Sequence, residues 1–397
     1  MIQGFYFRFY RMTHCEWLSA IFSKLAYCVF FGKYLIERIR HKKRIVTGNK
    51  GDELKVISEL HPDGIKTPCY DIQEVDEAID LSIIVPVYNY VDLIENNIKS
   101  ILNQKTQYKY QLILVDDGST DGAQDVLHRY ENHPGVKVIF QQNQGIAGAR
   151  NTGLVNATGK YIMFIDCDDT VEDKLVETLM AKAYKDDCDI VMCAHNLVKE
   201  RNGEIYEVLP NIYSKYNLSG YARNAQILNY AGLPWCKVYK RELWEGVRYF
   251  PGAWFEDTII HSLLFTQCKK FAYVPVVCYQ YRWYENNFSH TQDKRDNPRT
   301  IDMYWIMKRI LERYEELELS RDDRFETMLI KHLSHYYYSK ISGLDDKVVD
   351  ALFVLACDLY KQYGAKEDYK LPYMLRVTKK ALQQGDINLW KLAIKYQ

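Results

Sequence analysis

The stretch Leu81-Ser82-Ile83-Ile84-Val85-Pro86-Val87-Tyr88-Asn89 decides how the chain is read. A short β-branched run ended by Pro86 reads as a buried strand leading into a loop. Residues 92–104 follow with Ile94, Ile98, Ile101 and Leu102 on one helical face. A second apolar run, 112–115, stops at Asp116-Asp117-Gly118-Ser119, and Thr120 or Asp121 is suited to cap a helix through Tyr130. Residues 136–140 give a third strand, 146–156 a third helix and 161–165 a fourth strand. Strand and helix alternate at βαβ spacing, which predicts an α/β fold with a mostly parallel, doubly wound sheet flanked by helices.

Ligands of such sheets bind at the carboxyl ends of the strands. Pro86-Val87-Tyr88-Asn89 follows the first strand, Asp116-Asp117 the second and Asp166-Cys167-Asp168-Asp169 the fourth. Three carboxylates within four residues repel one another and need a counter-charge; their oxygens suit Mg²⁺ or Mn²⁺ shared with the phosphates of a substrate. The bland alternative makes Asp169 the cap of a helix beginning near Val171 or Glu172. Asp117 is suited to accept a hydrogen bond from a base ring, with Tyr88 along its face, although each alone is an ordinary turn residue. Gly145-Ile146-Ala147-Gly148-Ala149-Arg150-Asn151 lacks the GxGxxG spacing and follows the third strand, which argues against a dinucleotide site. Its small residues let the helix approach the sheet, with Arg150 available to a phosphate or to the aspartate cluster.

Working outward, 397 residues with 47% hydrophobic content allow two or three structural units. Lys+Arg and Asp+Glu both total 52, which excludes the global basic field of a nucleic-acid binder. The ten cysteines are dispersed without CxxC pairs, as in a reduced, cytoplasmic protein without structural zinc. Residues 1–44 hold nine Lys/Arg against Glu16 and Glu37, whereas 45–80 hold nine acidic residues against three lysines. Trp17 to Ile36 is apolar and aromatic but broken by Lys24 and Lys33, and is followed by Arg38, Arg40, Lys42, Lys43 and Arg44. That pattern fits neither a spanning helix nor a signal peptide. It fits an amphipathic helix lying in an anionic membrane surface at the inner face of the cell membrane; the alternative is a helix packed on the protein's own body or on a twin subunit.

Ile83-Ile84-Val85-Pro86-Val87-Tyr88-Asn89, Val115-Asp116-Asp117-Gly118-Ser119-Thr120-Asp121, Asn143-Gln144-Gly145 through Ala149-Arg150-Asn151, and Phe164-Ile165-Asp166-Cys167-Asp168-Asp169 together resemble the ordered motif series of family 2 glycosyltransferases. The resemblance covers roughly residues 81–185. It implies a GT-A fold, an inverting mechanism, Mn²⁺ or Mg²⁺, and a nucleoside-diphosphate-sugar donor, usually a UDP-sugar. Carried over by position, Pro86, Val87, Tyr88, Asn89 and Asp117 hold the nucleoside, with Gly145 and Arg150 also on the donor side. Asp166 and Asp168 form the metal-binding DXD element, with Cys167 at its variable middle position.

Further along, Pro234-Trp235-Cys236-Lys237 and Gly252-Ala253-Trp254-Phe255-Glu256-Asp257 resemble the second half of many such transferases, in which the Asp of the acidic pair is the general base. Asp257 takes that role; the competing reading is acidic residues at the start of a helix over 258–265. Trp235, Lys237, Trp254 and Glu256 are candidates for the acceptor side. Arg282, Ser289 and His290 resemble a less specific closing segment near the diphosphate, with Phe288 where a glycine is usual. The resemblance implies single addition to a glycan or lipid-linked acceptor in cell-surface glycan synthesis, because the several spanning helices and QxxRW element of processive synthases are not evident. The alternatives are an inactive scaffold or activating partner of the same fold, and a nucleotidyltransferase, which would want a glycine-rich, lysine-containing loop after the first strand. The expected organisation is a basic anchor over 1–44, an acidic linker over 45–80, a donor half over 81–195, an acceptor half over 196–295 and a helical domain over 296–397.

Overall fold

A computed structural model describes residues 16–68, 71, 73–201, 204–211, 219–221, 225–284, 295–365 and 369–397. They fall into two compact units. A helical unit comprises the described parts of Met1–Pro62, Arg295–Tyr304 and Arg321–Gln397; a sheet unit comprises those of Asp63–Lys294 and Trp305–Ser320.

The helical unit opens with α1 (Glu16–Ile39) and α2 (Lys50–Leu60). The second of these lies within the stretch read as a linker. Two of its three acidic residues are N-terminal helix chemistry: the Asn49 side chain accepts from Gly51 N at 2.8 Å, and Asp52 and Glu53 occupy the first turn, where the helix dipole favours negative charge. Among the described residues, no helix is long and apolar enough to cross a membrane.

The sheet unit begins with β1 (Leu81–Val87), α3 (Val91–Leu102), β2 (Tyr110–Asp116), α4 (Ala123–His128), β3 (Val136–Phe140), α5 (Gly145–Asn156) and β4 (Tyr161–Phe164). Spatial order 3-2-1-4, all parallel, places β1 at the centre. All seven β1 residues are buried. Pro86 does not end the strand, because it pairs with Val115 and lies beyond the last β1–β4 pair, Ile84 with Phe164, so its missing N–H breaks no bond of that ladder. A Cβ on Gly153 would collide with Ile84, so glycine is what lets α5 lie close on β1. Asp121 accepts from Ala123 N at 2.9 Å and from Val91 N at 2.8 Å, joining the starts of two helices.

The sheet continues through β5 (Thr170–Val171), α6 (Leu175–Asp186), β6 (Ile190–Arg201), β7 (Glu204–Asn211), β8 (Ser219–Tyr221), β9 (Lys237–Lys240) and β10 (Lys270–Trp283). Antiparallel β9 joins β4 to β6, and β6 runs parallel to β10. The result is a mixed ten-stranded sheet.

After α7 (Asp302–Glu316) come α8 (Asp323–Lys331), α9 (Asp346–Tyr363), α10 (Tyr373–Gln384) and α11 (Ile387–Lys395). Trp390 is wholly buried in the helical unit, its Nε1 donating to Leu333 O at 3.0 Å. Of the three consecutive tyrosines, Tyr337 is buried and Tyr338 meets Trp390 edge-on. Asp386 caps α11 through Leu389 N and holds His41 Nε2 at 2.9 Å, tying the end of α1 to the unit's carboxyl end.

Candidate active site

The carboxyl ends of β1, β2 and β4 carry the polar residues singled out in sequence. After β1, Val87 is buried, Tyr88 is exposed, and Asn89 takes a left-handed conformation (φ 58°) that asparagine tolerates. Asn89 N donates to Ser119 Oγ at 3.0 Å and Asn89 Oδ1 accepts from Thr120 N at 2.8 Å, so the first two strand ends are stitched together. Asp116 accepts from the amides of Gly118 and Ser119, shaping the turn. Asp117 Oδ1 accepts from Gln141 Nε2 at 2.7 Å and Gln144 N at 2.8 Å. Burial raises its pKa. Gly145, one residue on, has φ 77° at the start of α5.

The loop after β4 is held by neutral groups. Asn97 Nδ2, on α3, donates to Asp166 O at 2.9 Å and to Asp169 O at 2.8 Å. Asp169 is wholly buried, accepting from Tyr279 OH at 2.6 Å and from Arg282 N at 2.8 Å. It is not a helix cap, since the next helix starts at Leu175, six residues on. Asp166 and Asp168 remain for chemistry. Asp166 Oδ1 pairs with Arg150 Nη2 at 3.0 Å, and Asp168 Oδ2 accepts from Tyr284 OH at 2.9 Å. Burial, then the neighbouring Asp166 charge, pushes Asp168 up to about 6. Cys167 is buried, and its thiol is pushed up by burial and the flanking carboxylates, so it is no nucleophile.

Arg150 also reaches the other half of the sheet unit. Its Nη1 pairs with Glu256 Oε1 at 2.8 Å and its guanidinium lies 5.3 Å from the Tyr249 ring centroid. Glu256 and Asp257 follow Phe255, which has φ 63°, a conformation unusual for a bulky residue and concentrated at functional sites. The Asp257 charge acts on Lys237, Tyr239 and Tyr249, all wholly or nearly wholly buried. Lys237 is drawn down to about 8 by burial, with Asp257 acting against that; its Nζ donates to Leu233 O at 2.8 Å. Asp257 lies just before the helical turn over 258–267, and Ile260 N donates to its carbonyl at 2.9 Å.

The remaining candidates are placed differently. Trp235 is buried and stacks on Tyr279 and Tyr281 at centroid distances of 5.0 and 5.1 Å; Trp254 is also buried and meets Phe255 edge-on. Arg282 Nη1 lies 3.4 Å from Glu200 Oε2, and its charge also lowers the pKa of Asp168. Ser289 and His290 lie outside the described residues. Sequence reasoning passed over Asn97, Tyr279 and Tyr284. Asn97 carried a signal, being a polar residue three positions from Ile94 and next to Ile98 on the inward face of α3.

Among the described residues, no group of three or more His, Cys, Asp or Glu side chains is arranged to hold a metal ion. Two carboxylates suffice where substrate phosphates and water complete a hard cation's shell. Asp166 and Asp168 fit that chemistry: both are oxygen donors, and the raised pKa of Asp168 reflects burial first and then the Asp166 charge, both of which a cation would offset.

Residues 82–247 match the sequence model of Glycosyl transferase family 2. That segment is a family 2 glycosyltransferase domain. The Escherichia coli K12 glycosyltransferase YibD is 28% identical over 242 residues, 59% of this chain and 70% of that protein. The Bacillus subtilis minor teichoic acid biosynthesis protein GgaB is 29% identical over 231 residues, 55% of this chain but 24% of that protein. In structure, Staphylococcus aureus TarS 1–349 matches with a TM-score of 0.61 at 18% identity, covering 80% of this chain and 90% of that one. The sheet is accordingly that of a GT-A glycosyltransferase, and the chain is a transferase.

Proposed function

We propose that the enzyme inverts configuration while moving one sugar from a nucleoside-diphosphate sugar, in first place a UDP-sugar, to a hydroxyl of a glycan or lipid-linked acceptor at a membrane surface, in cell-surface glycan synthesis. The observation that carries this reading is the Arg150 bridge, which ties Asp166 of the donor side to Glu256, the neighbour of Asp257.

In this reading Tyr88 offers its exposed ring, and Pro86, Val87 and Asn89 their backbone, to the nucleoside, and Asp117 accepts from the base. Asp166 and Asp168 hold Mn²⁺ or Mg²⁺, which when bound offsets charge on the departing diphosphate. Arg150 supplies positive charge beside Asp166, and Arg282 supplies it near Asp168. Asp257 takes the proton of the acceptor hydroxyl as that oxygen attacks the anomeric carbon and the bond to the diphosphate breaks. Lys237 is buried where the Asp257 charge acts on it, and so sets a cation beside that carboxylate. Trp235 and Trp254 shape the wall of the acceptor side. The GgaB likeness supports a cell-surface polymer as the setting.

The test is calorimetry of a nucleotide-sugar panel with and without Mn²⁺, paired with slow donor hydrolysis. Metal-dependent binding of one donor, lost in Asp168→Ala, is expected; binding of no nucleotide sugar, or binding indifferent to both metal and Asp168, would overturn the reading.

A further inference from the structure

Helix α1 has two unlike faces. The inward one is built into the helical unit: Ser23 and Tyr34 are buried, Phe30 meets the Tyr396 ring edge-on at 4.9 Å, and Tyr34 meets Tyr373 and Tyr396 at 5.9 and 5.4 Å. His41 on Asp386 and Lys395 on Glu37 at 2.7 Å fix the helix end. Rotation of α1 is thereby set by its own unit.

The outward face is apolar. Leu25 is 57% exposed, Val29 63%, Ile36 52% and Ile39 86%, with Ile21 and Leu35 also exposed. At 3.6 residues per turn these six fall in one stripe. Lys24 lies along one edge of it and Lys33 and Arg40 along the other, followed by exposed Lys42 and Lys43. None of these five cations lies within 4 Å of a carboxylate in the ion pairs of the described residues, although the Lys33 charge acts on Glu37. Beside Arg40 a shallow hollow of about 540 Å³ is lined by His41, Lys391 and Lys395, with Glu37 as its only acid. Lys391 there rests over the Tyr338 ring at 5.8 Å.

An apolar stripe edged by cations and running into a basic hollow matches the layering of an anionic bilayer, in which phosphates lie above acyl chains. We propose that the outward face of α1 docks in the headgroup layer of an anionic membrane, with Leu25, Val29, Ile36 and Ile39 in the acyl boundary and Lys24, Lys33, Arg40 and Lys391 at lipid phosphates. The helix lies in the plane of the surface, and its lysines sit at phosphate depth. The inference concerns where the enzyme works and stands apart from the donor and base assignments. Charge complementarity favours lipid over a second copy of this chain, whose equivalent stripe would bring like charges together.

The test uses the full chain and its Leu25→Glu/Val29→Glu and Lys33→Gln/Arg40→Gln variants. Sedimentation is measured with phosphatidylcholine vesicles, with and without phosphatidylglycerol, and thermal melts check folding. Expected are binding to the anionic vesicles that weakens with salt, a loss of about tenfold or more in the glutamate variant, and a smaller loss with a shallower salt dependence in the glutamine variant. All three proteins should melt alike, since every altered side chain points outward. No binding by the parent chain, equal binding by the glutamate variant, or a dimer in analytical ultracentrifugation that this variant dissolves while vesicle binding is absent, would each overturn the proposal.

Discussion

Arg150 Nη1 and Glu256 Oε1 lie 2.8 Å apart although 106 residues separate them in sequence. The same buried guanidinium holds Asp166, so removing it strands two carboxylates at once. Arg150→Gln should cost about 3–5 kcal/mol of stability, measured by urea unfolding. Pairing it with Glu256→Gln should recover part of that loss, and strict additivity of the two in a double-mutant cycle would show that the bridge carries no coupling.

Asp168 is held at about 6, above its ordinary 3.8. Between those values the folded chain keeps a proton that the unfolded chain has released, so stability of the metal-free protein falls as pH rises through that window and the penalty is complete above it. Asp168→Asn should therefore raise the melting temperature at neutral pH, by an amount equivalent to about 1–3 kcal/mol, while abolishing metal-dependent donor binding. The stabilisation should vanish at the acid end of the window, which a pair of pH-dependent melting curves will show.

Asp257→Asn keeps size and hydrogen bonding but cannot take up a proton. Donor affinity by calorimetry should be nearly unchanged, and transfer should drop by about 10²–10⁴-fold. Equal loss of donor binding would instead assign Asp257 to the donor side.

Tyr279→Phe removes the hydroxyl that donates to buried Asp169 and accepts from Asp166 N. A buried carboxylate oxygen is left without its donor, which costs about 1–3 kcal/mol in thermal or urea unfolding. Because Asp169 lies on the same loop as Asp168, donor affinity should fall with it.

The parallel half of the sheet was legible because each element carried its own period: β-branched runs of strand length, then i, i+4 apolar faces, then turns rich in Asp and Gly. The local rule that proline breaks a strand ends β1 at Val85, two residues before its actual end at Val87, and only the end of the β4 ladder shows why Pro86 is harmless. Helix α2 was concealed for a similar reason, since acidic residues that suit a first helical turn also suit a solvated linker. The polar residues after β1 and β2 and the acidic motif after β4 were visible in sequence as residues at strand ends. The groups that fix them were not: Asn97, Tyr279 and Tyr284 come from α3 and from β10 and its end, and their relation to the acidic loop exists only once the sheet has closed. The packing of Trp235 on Tyr279 and Tyr281 was hidden likewise, because a tryptophan in sequence does not say whether its faces are covered.

Asn97 spends one uncharged amide on two carbonyls of the acidic loop. The backbone path of that loop is thus fastened by a group indifferent to ionisation, and its curvature need not follow the electrical state of the carboxylates it presents. On the proposed reading, protons or a cation come and go while the oxygens stay aimed, and little reorganisation is left for the donor to bring about.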